Sequence, residues 1–302
     1  MMPRTRIAPN GPTFSHMVYG TWRMLDDAPS AQDINRRLHL CLELGITTID
    51  GAEIYGGYAQ EAALGVALAL TPGLRENLEL VTKSGIYIPH PTAPERRVAH
   101  YDVTAKRLND CVDSALERLG TDRLDLFLVH RPDWLTSIDD TAAGLNALVK
   151  SGKIRSAGVS NYSPTQFAAL NSRMDQPLVT NQVEFSLLHM DPIFDGTFDQ
   201  LQTERVQPMA WSPMAGGSLF DLRTAAAQRL AEQAALIAPK YGDCSLEQLA
   251  YAWIMAHPSN PIPVIGTNRL DRIQSASLST QIALEREDWF ALWVAAKGHG
   301  IP

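Results

Sequence analysis

Short β-branched runs that end in a polar residue alternate, along most of the chain, with segments whose apolar residues follow helical spacing. This alternation is typical of repeated βα units around a parallel sheet. The predicted strands span residues 17–21, 46–50, 78–83, 124–130, 153–160, 178–182, 207–212 and 262–266. Eight such strands predict an α/β fold, a closed (β/α)8 TIM barrel.

Capping signals mark several of the intervening helices. Ser163-Pro164 combines a favoured N-cap residue with a proline in the first turn, and Ser245 is followed three residues later by Gln248. A turn at residues 9–12 predicts an N-terminal β-hairpin. Two helices in excess of the eight repeats are predicted over residues 222–241 and 286–297.

The chain of 302 residues contains no linker rich in Pro, Gly or Ser, so we expect one domain over residues 1–302. Its composition, 45% hydrophobic and 20% charged, supports a large buried core. The 26 basic and 33 acidic residues give a net charge of −7 without a basic cluster, which disfavours nucleic acid as a partner. No apolar stretch of about 18 residues and no apolar signal core occurs, which disfavours membrane insertion and secretion.

The three cysteines, Cys41, Cys111 and Cys244, are odd in number and far apart in the sequence. Two of them fall on apolar faces of predicted helices. We therefore expect reduced, buried thiols in a cytoplasmic protein. No obvious interface stripe is present, so a monomer is the expected state.

Polar residues stand at the ends of several predicted strands, and in a parallel barrel the active site lies at the C-terminal strand ends. Asp50, Lys83 and His130 end three strands, and Tyr55 lies on the loop after Asp50. Singly, each has an ordinary structural explanation, such as a solvated lysine, a turn-capping carboxylate or a packed ring. Together they indicate a catalytic site. No spacing typical of metal ligands accompanies them, so no metal is expected.

These four side chains suit protonation of a substrate carbonyl. The Lys83 ammonium is expected to lower the pKa of the Tyr55 phenol from its usual value of about 10. Asp50 would keep Lys83 charged, and a neutral His130 would orient the substrate oxygen. Reduction also needs a hydride source, which predicts a nicotinamide cofactor although the usual G-x-G-x-x-G signature is absent.

Further polar strand ends and a glycine-rich loop supply candidate ligands for this cofactor. Ser160, Asn161 and Gln182 suit an amide group, and the Trp211 ring suits stacking. Backbone amides of the loop 212–218 suit a pyrophosphate, and the residues that open the last short helix suit a phosphate. The ordinary structural explanation for that helix is a capped helix with exposed arginines. The candidates are Ser160, Asn161, Gln182, Trp211, Ser212, Pro213, Met214, Gly216, Gly217, Ser218, Gly266, Thr267, Asn268, Arg269 and Arg272.

Aromatic and apolar residues on the barrel loops could form the wall of a substrate pocket beside Tyr55 and His130. They could equally pack a loop against the rim. A broad specificity for apolar carbonyl compounds is the modest expectation. The candidate pocket residues are Trp22, Tyr87, Trp134 and Met214.

Eight ordered motifs carry a resemblance to a known family over nearly the whole chain. They are Gly20-Thr21-Trp22, Asp50-Gly51-Ala52-Glu53-Ile54-Tyr55-Gly56, Val81-Thr82-Lys83, Leu128-Val129-His130, Gly158-Val159-Ser160-Asn161-Tyr162, Asn181-Gln182-Val183-Glu184, Trp211-Ser212-Pro213 and Pro263-Val264-Ile265-Gly266-Thr267. With these motifs the chain resembles the aldo-keto reductases.

The resemblance implies a TIM barrel and NADPH-dependent carbonyl reduction by a tetrad on Asp50, Tyr55, Lys83 and His130. It also implies that Gly20, Thr21 and Trp22 lie at the cofactor site, that Ser160, Asn161 and Gln182 hold the carboxamide, that Trp211 stacks on the nicotinamide, and that Arg272 meets the 2′-phosphate. The sequence departs from the family pattern at Gly51, Trp211, Gly266, Ser275 and Ala276. The last two stand where a Glu-Asn pair often contacts adenine.

Two other functions stay open at this stage. A desolvated Lys83 could act as the nucleophile of a Schiff-base lyase, although a counter-ion at Asp50 argues against it. The chain could also be a regulatory module that retains NADPH without meaningful catalysis. The intact tetrad speaks against this second alternative.

Overall fold

An antiparallel hairpin, Arg4–Arg6 with Thr13–Ser15, opens the computed structural model, which describes residues 2–91 and 93–301. Met1, Thr92 and Pro302 of the predicted domain lie outside the described residues. The hairpin is attached at the N-terminal end of the barrel, where the Thr48 amide donates a hydrogen bond to Ser15 Oγ at 3.2 Å. The predicted N-terminal hairpin is confirmed.

Eight parallel strands close into a barrel in which each strand pairs with the next and the last pairs with the first. The predicted TIM barrel is therefore confirmed. The strands are β1 (Val18–Gly20), β2 (Thr48–Asp50), β3 (Glu79–Ser84), β4 (Leu126–Val129), β5 (Ala157–Ser160), β6 (Asn181–Glu184), β7 (Met209–Trp211) and β8 (Ile262–Ile265).

Helices surround the barrel. They are α1 (Ala31–Glu43), α2 (Gln60–Ala69), α3 (Ala105–Leu119), α4 (Ile138–Lys150), α5 (Pro164–Asn171), α6 (Asp191–Phe194), α7 (Thr197–Glu204), α8 (Ala225–Ile237), α9 (Leu246–Met255), α10 (Leu270–Leu278) and α11 (Arg286–Lys297). Short 3₁₀ turns span Arg75–Asn77, Ala215–Phe220, Ala238–Tyr241 and Ser279–Gln281.

The predicted helix caps form as expected. The Ser163 and Ser245 side chains accept from the amides of Gln166 and Gln248, and each glutamine side chain bonds back to the cap residue. The predicted helix 222–241 is shorter than expected, because it ends at Ile237 and continues as a 3₁₀ turn. Pro239 explains this difference, since a proline ring clashes with the carbonyl four residues earlier in an α-helix.

The two extra helices predicted from the sequence correspond to α8 and α11, which pack against each other, and α8 also packs against α9. The Arg229 Nε of α8 donates to the Ala295 carbonyl of α11 at 2.8 Å. Trp253 of α9 and Trp289 of α11 stack at 4.7 Å, and each indole donates to the backbone carbonyl of the other. This pairing satisfies both indole N–H groups while burying the rings.

The strand residues are almost all buried, as expected for a parallel sheet covered by helices. Most of these buried strand residues are apolar. Buried polar residues gather at the C-terminal ends of the strands and include Asp50, Lys83, Ser160 and Gln182. The prediction of three buried thiols is wrong for Cys244, which is half-buried just before α9, whereas Cys41 and Cys111 are buried and free. Within the described residues, every helix is too short or too polar to cross a bilayer.

Candidate active site

A cavity of about 540 Å³ opens at the C-terminal ends of the strands. It is bounded by the ends of β1, β2 and β4 to β8 and by the loops that follow them. Most of the predicted site residues lie on its wall. They are Gly20, Trp22, Asp50, Tyr55, His130, Ser160, Asn161, Gln182, Trp211, Ser212, Pro213, Met214, Gly216, Gly217, Gly266, Thr267, Asn268 and Arg272.

A buried ion pair lies under the cavity. The Lys83 ammonium contacts both carboxylate oxygens of Asp50 at 2.7 Å and the Gly51 carbonyl at 2.8 Å. Gln182 Nε2 donates to Asp50 Oδ1 at 3.0 Å, so a third strand helps to hold the carboxylate. Burial lowers the pKa of Lys83, but the charges and hydrogen bonds of Asp50 and Tyr55 together outweigh burial and raise the pKa of the ammonium. Lys83 is therefore held in its charged form.

Tyr55 lies between this ion pair and the cavity. The Lys83 Nζ lies 5.1 Å from the centre of the phenol ring. The centres of the Tyr55 and His130 rings are 6.0 Å apart, and the two rings pack edge to face. Burial raises the pKa of Tyr55, and this effect exceeds the lowering by the Lys83 charge. The expectation of a net lowered pKa is therefore wrong, because desolvation of the phenolate dominates. The phenol keeps its proton at neutral pH.

His130 is held in its neutral form. Burial, reinforced by the positive charges of Lys83 and Arg131, places its pKa well below the usual range. Its Nδ1 is buried and has no hydrogen-bond partner within the described residues, a setting that disfavours an imidazolium. The neutral imidazole expected from the sequence agrees with this environment.

Polar residues at the ends of β5 and β7 form a hydrogen-bonded chain along the cavity. The Trp211 indole N–H donates to Asn161 Oδ1 at 3.0 Å, and Asn161 Nδ2 donates to Ser160 Oγ at 2.7 Å. Asn161 adopts a left-handed backbone conformation, with φ of 58°, which Asn tolerates better than most residues. These two hydrogen bonds hold the edge of the Trp211 ring against the C-terminal end of β5.

The loop after β7 exposes backbone to the cavity. Ser212, Ala215, Gly216 and Gly217 all have positive φ, and a Cβ at either glycine would meet no atom within 4 Å. The space around Gly216 and Gly217 lets an anionic group approach the loop backbone closely, while the amides of Ala215 and Gly217 donate to the Ser212 and Met214 carbonyls and fix the turn. The loop therefore suits the pyrophosphate role predicted for it.

The two arginines predicted to bind a phosphate differ in position. Arg272 lies on the cavity wall, where its guanidinium contacts Glu247 at 2.9 Å. Arg269 is exposed, pairs with Asp271 at 2.6 Å and is not part of the wall. Only Arg272 is therefore placed to meet a group inside the cavity.

Four more predicted residues lie away from the wall. Thr21 is buried, and its hydroxyl donates to the Asp50 carbonyl at 2.8 Å, so it supports the β2 end. Ser218, at the end of the loop after β7, is exposed and does not line the cavity. Tyr87 stacks on His100 within a short antiparallel pair, Ile86–Tyr87 with His100–Tyr101, and Trp134 is 82% exposed. The structure thus does not bring Tyr87 and Trp134 to the pocket, because their loops fold outward.

Several wall residues carry no sequence motif that singles them out. The sequence position of Arg131, directly after His130 at a strand end, is the clearest signal that could have identified it as a site residue. Glu247 lies on α9, far from any strand end, so only the folded chain places it in the cavity. The additional wall residues are Arg23, Asp26, Ile54, Ile86, Arg131, Phe220, Glu247, Tyr251 and Val264.

Comparison with known proteins assigns the chain to a family. The family model described as the aldo/keto reductase family matches residues 16–293. The chain belongs to the aldo/keto reductase family. It is thus related to oxidoreductases, and the resemblance noted in its motifs is confirmed.

Individual aldo/keto reductases match over almost the full length. The chain is 44% identical to the 6-dehydroglucose reductase of Agrobacterium fabrum, covering 94% of this chain and 95% of that protein. It is also 44% identical to the oxidoreductase YdhF of Escherichia coli, with full coverage of both. A thermostable aldo-keto reductase solved with the inhibitor epalrestat superposes with a TM-score of 0.82 at 26% identity, over 97% of this chain and all of the other.

Proposed function

We propose that the protein is an NADPH-dependent reductase that converts aldehydes or ketones to alcohols. The observation that carries this proposal is the position of the Tyr55 phenol at the cavity wall, flanked by the Lys83–Asp50 ion pair and the His130 ring. This set combines a proton donor, a fixed cation and a neutral hydrogen-bonding ring at one point. The family assignment supports an oxidoreductase.

Each residue has a distinct role in the proposed reaction. Tyr55 donates its proton to the carbonyl oxygen as that oxygen becomes an alkoxide, and then regains a proton from solvent. Lys83 stabilises the transient phenolate, and Asp50 holds Lys83 in place. His130 orients the substrate oxygen. An alkoxide is a far stronger base than a phenolate, so a phenol with a raised pKa remains a competent acid.

The residues of the wall suit a bound NADPH. When bound, it supplies the hydride that reduces the carbonyl carbon. Trp211 would lie against the nicotinamide ring, Asn161 and Ser160 beside its amide, and the amides of the loop 212–217 at the pyrophosphate. Arg272 would meet the 2′-phosphate, which favours NADPH over NADH because a guanidinium matches a phosphate better than a hydroxyl.

The Schiff-base alternative is disfavoured by the environment of Lys83. A nucleophilic lysine must lose its proton and approach the substrate, whereas this ammonium donates to three oxygens within 2.8 Å. Its side chain is 1% exposed. A lysine held in this way serves as a fixed charge.

The proposal is tested by adding a panel of aldehydes and ketones to the purified protein with NADPH or NADH. Two relatives named 6-dehydroglucose reductase make aldehydes derived from sugars suitable members of the panel. We expect NADPH oxidation with formation of one alcohol per NADPH, and slower oxidation of NADH. Tight NADPH binding without turnover on any carbonyl would favour the regulatory module, and a borohydride-trapped adduct on Lys83 would favour the lyase.

A cytoplasmic, monomeric enzyme without a nucleic-acid partner stays a prediction of the sequence. The free, buried Cys41 and Cys111 thiols support a reducing compartment.

A further inference from the structure

Arg131 is an unpaired cation at the reacting end of the cavity. It directly follows His130 at the end of β4, lies on the cavity wall and is half-buried. Within the described residues its guanidinium has no carboxylate within 4 Å and makes no hydrogen bond. The group that it approaches is the Trp211 ring, whose centre lies 5.8 Å away.

The other two arginines of the wall are partnered. Arg272 pairs with Glu247 at 2.9 Å, and Arg23 donates to the Gly216 carbonyl at 3.2 Å. Arg131 is the one of these three whose guanidinium makes neither an ion pair nor a hydrogen bond with the described residues, so all its N–H donors are available. Because Arg131 is half-buried on the cavity wall, its donors are available to a ligand that enters the cavity.

The charges around Tyr55 do not compensate Arg131. Lys83 is neutralised by Asp50, which its ammonium contacts at 2.7 Å. His130 is neutral, and the positive charge of Arg131 is one cause of its lowered pKa. The reacting end therefore carries one net positive charge, in a recess where the surrounding protein weakens screening by water.

We propose that Arg131 is a specificity-determining residue that binds a carboxylate of the substrate, so that the preferred substrates are aldehydes or ketones that carry an acid group. The inference rests on the proposed reductase function. A guanidinium presents two parallel N–H groups that match the two oxygens of a carboxylate. Arg131 and His130 both lie on the cavity wall, and the Arg131 charge acts on both His130 and Tyr55, so the acid group would be bound close to the carbonyl oxygen. A neutral hydroxylated substrate could accept hydrogen bonds but would leave the charge uncompensated.

A matched pair of substrates tests the assignment. The native protein, R131Q and R131K are assayed with NADPH on 4-carboxybenzaldehyde and on its methyl ester, which differ in charge but share the aldehyde. We expect the native protein to favour the acid, and R131Q to reduce the acid-to-ester ratio of kcat/KM about 10- to 150-fold, the range of one charge-assisted hydrogen-bonding contact. R131K should retain part of the preference, because it keeps the charge without the bidentate geometry.

Two further measurements separate the alternatives. Benzoate should bind the native protein in calorimetry without added cofactor, and R131Q should lose this binding. R23Q, which alters another arginine of the same wall, should leave the acid-to-ester ratio as in the native protein. NADPH affinity, measured by fluorescence, should change less than about 3-fold in R131Q, since a larger change in either direction would make Arg131 a cofactor ligand and overturn the assignment.

The outcomes also distinguish the two proposals. Equal turnover of acid and ester by the native protein, or an equal loss on both in R131Q, would overturn the carboxylate assignment and leave the reductase function standing. A preference for neutral sugar-derived aldehydes that is lost in R131Q would also overturn the carboxylate assignment and leave the reductase function standing. Absence of NADPH oxidation with every carbonyl compound would overturn the proposed function and this inference with it.

Discussion

The buried pair of Asp50 and Lys83 allows a quantitative prediction about folding stability. Their side chains are 3% and 1% exposed, so each charge depends on the other for its solvation. D50N leaves the ammonium without a counter-ion, and K83M leaves the carboxylate with Gln182 as its remaining side-chain donor. Removing one partner of a buried pair costs about 3–5 kcal/mol, because an uncompensated charge remains in the interior.

The double variant D50N/K83M should be less destabilised than the sum of the two single variants. It carries no charge at either position of the pair, and Met fills a volume similar to that of the lysine stem. We expect each single variant to lower the free energy of unfolding by about 3–5 kcal/mol and the double variant to recover at least about 2 kcal/mol of the summed loss. For a chain of 302 residues this corresponds to an apparent Tm lower by about 5–8 °C for each single variant.

Urea denaturation of the four proteins, followed by tryptophan fluorescence and circular dichroism, measures this cycle. All three variants should lack reductase activity, so stability is read independently of turnover. If the losses of the single variants add in the double variant, the two groups do not stabilise each other, and the account of the site as a coupled ion pair is wrong.

Three more predictions address pH, packing and cofactor choice. Because His130 is held neutral by its lowered pKa, kcat/KM should not fall between pH 8 and about 6, and a fall with a midpoint near the ordinary histidine value of 6.5 would refute this. Gly65→Ala should destabilise the protein by about 1–3 kcal/mol in thermal unfolding, because the new Cβ would lie 2.0 Å from the Arg118 carbonyl oxygen, whereas the exposed V66A in the same helix should change stability little. Arg272→Gln should weaken NADPH binding about 10-fold while changing NADH binding less, as measured by cofactor fluorescence, and equal effects on both would exclude a 2′-phosphate contact.

The sequence predicts the barrel well because its strong signals are local. The Ser163 and Ser245 caps, the strand-end polar residues and the helix over 286–297 all form where expected. The strand limits are less accurate. The predicted strand 153–160 begins at Ala157 in the structure, because Ile154 forms only an isolated parallel bridge to Leu124 that is separate from the continuous ladder.

The site is less predictable wherever its properties depend on distant parts of the chain. Tyr87 and Trp134 have the residue types of a pocket wall, but the paths of their loops carry them elsewhere. The pKa of Tyr55 depends on a balance between burial and one charge, and only the folded chain shows that burial dominates. No sequence motif marks Arg131 as a binding residue. Its proposed role depends on the absence of a carboxylate near its guanidinium within the described residues, which only the folded chain shows.

The most direct test of the proposed chemistry is the Tyr55→Phe variant, which removes the hydroxyl and keeps the ring. The account predicts that aldehyde reduction by NADPH falls at least about 100-fold, the usual contribution of a positioned acid, while NADPH affinity stays within about 3-fold of the native value. Retention of most of the native kcat in this variant, with binding unchanged, would contradict the role of Tyr55 as the proton donor.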